Sequence, residues 1–164
     1  MQFLSARSLL YVRVLLLAII AFFCIKDPSV LLESGFAVLL GQAMQLNIIL
    51  LDTSNPLIGI TAVTFATLAI SDLIPLLADN IEYFETIVPT RLFLYFGLAA
   101  YSYVTKSPIF SNNIIFVYSF FEIWFNFLIY NNLRDERYYR IKKFIEENGD
   151  KLNPDEAVRV AEVD

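Results

Sequence analysis

Four ionisable side chains stand inside otherwise apolar stretches: Arg13 in SLLYVRVLLLAIIAFFCI, Asp72 in LIGITAVTFATLAISDLIPLLA, Arg91 in IVPTRLFLYFGLAAYSYV and Glu122 in IFSNNIIFVYSFFEIWFNFLIYN. Carboxylates in such settings serve as general acids and bases, carry protons, or pair with cations. The first two uses need companions. The chain has no histidine and a single cysteine, Cys24, so chemistry built on a histidine base, a histidine ligand or a thiolate cluster falls away, and no internal disulfide can form. No nucleophile, relay or metal motif accompanies Asp72 and Glu122, and the expectation is a protein that is not an enzyme and holds no metal or cofactor. Pairing remains, with two cations and two anions at hand.

Helical spacing supplies neighbours. Glu122 shares a face with Tyr118, Ser119 and Asn126, and Arg91 lies on a stripe with Tyr95 and Ser102. Thr64, Thr67 and Ser71 lead towards Asp72, just before Pro75, where a kink is expected. The candidate cluster is Arg13, Asp72, Arg91, Glu122 and Asn126. A charge within a membrane span costs on the order of 2.5–3.5 kcal/mol by insertion scales, so such residues turn to protein or water. Two readings stand. The favoured one is helix glue through buried ion pairs, and the sharper one is a small polar cavity for a lipid headgroup, an ion or a partner's side chain.

The elements that would position these residues follow from composition. Hydrophobic residues make up 57% of the chain and the mean hydropathy is +0.59, far above a typical soluble protein. Charge is segregated: residues 1–133 hold eight acids and five bases, whereas residues 134–164 alone hold nine and seven. The pattern predicts an all-α integral membrane bundle at 1–133, with spans at about 8–25, 57–78, 87–104 and 109–131, followed by a cytosolic charged tail at 134–164. The first span has no small-residue cleavage site after it and reads as a retained anchor. Residues 35–51 are uncertain: Gln42, Gln45 and Asn47 weaken the span signal, so a re-entrant or interfacial helix is favoured over a fifth crossing.

The distribution of Lys and Arg sets an orientation. With four spans the N-terminus, the loop at 79–86 and the tail share one side, which receives Arg7, Arg91, Arg134, Arg137, Arg140, Lys142 and Lys143, against Lys26 and Lys106 on the other. Both termini are thus expected in the cytosol. At 1.5 Å per residue Arg13, Asp72 and Glu122 then lie roughly 8, 9 and 13 Å inside their cytosolic helix ends. After Asn132 the sequence LRDERYYRIKKFIEENGD predicts a short juxtamembrane helix stopped at Asn148-Gly149. Its Arg134, Arg137, Arg140, Lys142 and Lys143 are candidates for anionic-lipid contact, or simply topology markers. Residues 153–164 read as a disordered end or a docking peptide. The net charge of −5 speaks against a general nucleic-acid partner.

The chain resembles the fungal membrane proteins named for increased loss of mitochondrial DNA. The matching stretches are QAM at 42–44, DLIPLL at 72–77, YFETIVPTRL at 83–92 and EIWFNFLIYNNLRDE at 122–136, in order across most of residues 8–140. The resemblance implies an endoplasmic-reticulum membrane protein whose loss disturbs mitochondrial genome maintenance indirectly, and it implies no catalytic residues. The resulting expectation is a non-enzymatic adaptor or anchor. Its partners would be membrane lipids and a larger membrane or lipid-transfer protein. The alternatives are a small transporter or channel using the Asp/Glu/Arg seam, or a component of membrane-protein targeting and insertion.

Overall fold

The computed structural model describes residues 5–32, 34–49, 55–105 and 107–148. Among these the chain is helical: α1 Ala6–Lys26, α2 Ser29–Leu32, α3 Gly35–Ala43, α4 Leu57–Leu77, α5 Ile81–Val104 and α6 Asn113–Asn148. No β-strand forms among the described residues, only an isolated bridge between Asn47 and Asn112. Four helices, α1, α4, α5 and α6, are long and apolar enough to cross a membrane. Their 21 to 36 residues correspond to lengths upward of about 30 Å at 1.5 Å per residue, the thickness of a bilayer's hydrocarbon core.

Local chemistry sets the ends. Ser5 caps α1, its hydroxyl oxygen accepting from the Ser8 amide, and Asn80 caps α5 in the same way through the Tyr83 amide at 3.1 Å. That second cap starts α5 at Ile81. The predicted loop at 79–86 is therefore only a tight turn, and the third span begins six residues before the expected 87. Asp79 turns the chain with a left-handed backbone at φ 55°, a conformation that Asp tolerates through its short polar side chain.

The fourth helix is shifted as well. It starts at Asn113 rather than 109, because Asn112 accepts from the Ile115 amide and serves as a cap. It then runs unbroken past position 133 to Asn148. The segment expected as a juxtamembrane helix extending the last span is thus continuous with the fourth long helix. Gly149, the tail to 164 and Lys106 lie outside the described residues.

Two helix pairs make the body: α1 packs along α4, and α5 along α6, with α1 against α6 joining the pairs. Beyond their turn α4 and α5 scarcely touch. The region read as uncertain contains the nine-residue α3, far too short to span, which packs on α6. There Gly41 meets Asn113 so closely that a Cβ at position 41 would stand 2.5 Å from the Asn113 Cβ. Gln42, Gln45 and Asn47 are exposed rather than buried, and Asn47 donates from its amide to the Ser111 carbonyl.

The N-terminal end of α1, the α4–α5 turn and the far part of α6 meet at one end of the bundle. Arg7 pairs with Asp79, the Ala6 amide donates to Glu136 Oε1 at 2.8 Å, and Arg140 pairs with Glu85 at 2.5 Å. Leu9, Leu10, Leu76, Phe84, Val88, Ile129 and Leu133 fill the space between the helices just inside that end. Lys26, α2 and α3 lie at the opposite end.

Candidate functional site

The inward stripe of each long helix carries one of the charged residues. On α1 the buried positions are 6, 9, 10, 13, 14, 17 and 21, so Arg13 falls among Leu9, Leu10, Val14 and Leu17. On α4 Asp72 lies between Ala69 and Leu76, and on α6 Glu122 lies between Ser119 and Asn126. Spacings of three and four residues keep one face of a helix turned to the core. Each charge is therefore delivered to the middle of the bundle by the packing of its apolar neighbours. Arg13 is 3% exposed, Asp72 1%, Glu122 4% and Asn126 0%, while the Arg91 side chain keeps 16%.

These five residues come together. Arg13 donates from Nε to Glu122 Oε2 at 3.2 Å and from Nη2 to both Glu122 oxygens at 3.0 Å. Its Nη1 bonds Asp72 Oδ2. The far side of Asp72 is taken by Arg91, Nη1 to Oδ2 at 2.9 Å and Nη2 to Oδ1 at 2.6 Å. Asn126 donates from Nδ2 to the Glu122 carbonyl at 2.7 Å and to its Oε2 at 2.9 Å. Tyr118 donates to Glu122 Oε1 at 3.0 Å, and Tyr95 and Tyr118 share a hydroxyl bond of 3.1 Å. Arg91 and Tyr95 are one turn apart on α5. The chain Arg91–Asp72–Arg13–Glu122–Tyr118–Tyr95 therefore begins and ends on α5, one turn apart, and passes through all four long helices.

Electrostatically the circuit balances: two guanidinium groups face two carboxylates. Fork-shaped contacts on both carboxylates are the strong form of this interaction, and they offset the desolvation that makes buried charge expensive. Asn126 Oδ1 is the exception, buried with no hydrogen-bond partner. Among the described residues no group of His, Cys, Asp and Glu is arranged to hold a metal.

Not every anticipated neighbour joins. Of the two cations at hand for Glu122, Arg13 takes it, while Arg91 pairs with Asp72. Thr64 and Thr67 bond back to Ile60 and Val63 on their own helix and, with Ser71, are exposed, so they form no seam leading to Asp72. Ser102 is buried away from the circuit, donating to the Phe110 carbonyl at 2.7 Å. The bases of the α6 extension have acidic neighbours: Arg134 with Asp135, Arg137 and Arg140 with Glu85, Lys142 with Glu146 and Lys143 with Glu147. Two participants lay beyond the sequence reading, Glu136 at the start of α1 and Glu85 beneath Arg140. For Glu136 the signal was present, since 122, 126, 129, 133 and 136 continue one stripe.

The family model described as "Increased loss of mitochondrial DNA protein 1", Ilm1, matches residues 4–143. The chain is 38% identical over 143 residues to "Protein ILM1" of Saccharomyces cerevisiae, an overlap covering 87% of this chain and 70% of that protein. It is 28% identical over 143 residues to "Protein ilm1" of Schizosaccharomyces pombe, covering 79% of this chain and 89% of that one. No solved structure matches. Four apolar helices joined through buried charge thus occur in a chain that belongs to the Ilm1 family.

Proposed function

We propose that this chain is a non-enzymatic, multi-pass subunit of the endoplasmic-reticulum membrane. In this reading it anchors a larger lipid-transfer partner and supports mitochondrial DNA maintenance indirectly, through lipid exchange between membranes. The observation that carries the reading is the mutual pairing of the four charges inside the bundle. These charges are spent on one another, so the core serves as a lock and the work falls to the outer surface. That surface is rich in exposed aromatics, among them Phe93, Phe96, Trp124 and Phe127, a composition suited to lipid and to partner helices.

Orientation follows from the end at which Arg7, Arg134, Arg137, Arg140, Lys142 and Lys143 gather, which faces the cytosol in this reading. At 36 residues α6 is about 54 Å long, enough to cross the bilayer and project from it as the juxtamembrane helix. Its exposed ion pairs are weak and exchange readily for anionic headgroups. The short α3 then lies in the opposite interface or re-enters it. Purification from native membranes in a mild detergent, followed by mass spectrometry, tests the proposal. A stoichiometric larger partner is expected, and a chain that purifies alone overturns it.

A further inference from the structure

Beyond the circuit, towards Lys26, the helices do not close. A partly open cavity of about 660 Å³ lies between α1, α4 and α6 under α2 and α3. Its walls are apolar, with Leu17, Ile20, Phe65 and Phe121 among them. Phe65 packs edge-on against Tyr118 at 5.2 Å between centroids, and Phe36 of α3 meets Phe121 at 5.4 Å. Arg13, Glu122 and Tyr118 make its polar end, and among the described residues Arg13 and Glu122 are the charged ones that line it. The volume falls within the range of about 300–1,000 Å³ typical of small-molecule sites.

The polar end selects against charge. Arg13 and Glu122 already neutralise each other and are buried, so an anionic or zwitterionic headgroup would have to break that pair or enter uncompensated. It does offer one acceptor and one donor. Tyr118 Oη gives its proton to Glu122 and shares one lone pair with Tyr95, leaving a lone pair over. Arg13 Nη1 has a second N–H besides the one given to Asp72. A hydroxyl, which both donates and accepts, matches this pair. A single apolar chamber also favours one compact rigid body over two flexible chains, because less conformational freedom is lost on binding.

We propose that this cavity is a sterol site, with the sterol hydroxyl between Arg13 and Tyr118 and the ring system among Leu17, Phe65 and Phe121. The inference does not rest on the anchoring role. Cys24, the chain's single cysteine, lines the cavity and supplies the probe. The full-length protein is reconstituted in phosphatidylcholine vesicles with increasing cholesterol, and alkylation of Cys24 by a membrane-permeant maleimide is timed. At a sterol level about ten times the Kd the reaction slows about tenfold, because only the unoccupied fraction reacts. Diacylglycerol and the sterol epimer with inverted hydroxyl leave the rate unchanged. Tyr118→Phe, which keeps the ring contacts, raises the half-protecting concentration about fivefold, the worth of one hydrogen bond, and Ile20→Trp removes the sterol dependence by filling the space. Equal protection by diacylglycerol or by the epimer, no protection by cholesterol, or unaltered protection in Tyr118→Phe overturns the assignment.

Discussion

At the end of the bundle where Arg7 meets Asp79, side chains such as Leu10, Phe84 and Ile129 are buried and close the space between helices. Towards the end near Lys26 the buried side chains are mostly smaller, with Val14, Leu17, Ala21, Ala62 and Ala69 among them, and α1, α4 and α6 part around a cavity of about 660 Å³. The same bundle is thus a solid at one end and a shell between α1, α4 and α6 at the other. The ion-pair circuit sits at the boundary, and its place explains how the shell survives. Away from their turn α4 and α5 hardly touch, yet α4 is tied across by Asp72 to Arg91 and by Phe65 to Tyr118. Directional polar contacts join the helices at a set separation without filling the space beside them. Between helices in lipid such contacts also add to packing where hydrophobic driving force is absent.

Breaking the boundary should have the largest effect. Arg13→Leu leaves Glu122 without a cation and Asp72 with one instead of two. Loss of one partner from a buried pair costs about 3–5 kcal/mol, read as reversible unfolding in mixed micelles. Arg91→Leu should cost less, since Arg91 is partly exposed and Asp72 keeps Arg13. Adding Glu122→Leu to Arg13→Leu removes the uncompensated carboxylate, leaves the neutral Asp72–Arg91 pair and should recover part of the loss. Strict additivity of the two changes would show that the residues do not act as one circuit.

Much of this boundary was legible in the sequence because a charge in an apolar run has few places to go. Arg13, Asp72, Arg91 and Glu122 stand out as charges inside apolar runs, and Asn126 as the polar residue one turn from Glu122. Pairing was harder to read. Whether Arg91 reaches Asp72 or Glu122 depends on which helices are neighbours, and nothing local in α5 states that. The threonines of α4 misled because a hydroxyl in a helix can satisfy itself on the carbonyl one turn back, as Thr64 and Thr67 do. The cavity was invisible for a related reason. Its walls are Leu, Ile and Phe, which read alike whether they face a core, a lipid or a void.

Truncating an aromatic at each end gives the second test. Phe84 is fully buried in the solid end and contacts Tyr83 edge-on at 5.2 Å. Phe84→Ala should cost about 3–5 kcal/mol, the transfer loss plus a new cavity. Phe121 is partly exposed and already borders empty space, with Phe36 as its ring partner. Phe121→Ala should cost only about 0.5–1.5 kcal/mol, the worth of that ring pair. Unfolding of both variants under the same conditions decides it, and equal losses would mean that the shell is as tightly packed as the solid end.

The smallest effect is expected at the rim of the solid end, where Glu136 accepts from the Ala6 amide. A carboxylate there serves α1 twice, as hydrogen-bond acceptor and as a negative charge at the helix's positive end. Glu136→Gln keeps an acceptor but removes the charge, and should cost about 0.3–1 kcal/mol. Glu136→Ala removes both and adds roughly another 1 kcal/mol. Because Leu9, Leu10 and Leu133 pack directly inside this rim, the loss should stay local. Amide exchange is then expected to quicken in the first turn of α1 while Cys24, at the far end of the same helix, keeps its alkylation rate. A rise at Cys24 as well would show that loosening one end opens the other, and the circuit would have to be regarded as a hinge between the ends instead of a barrier.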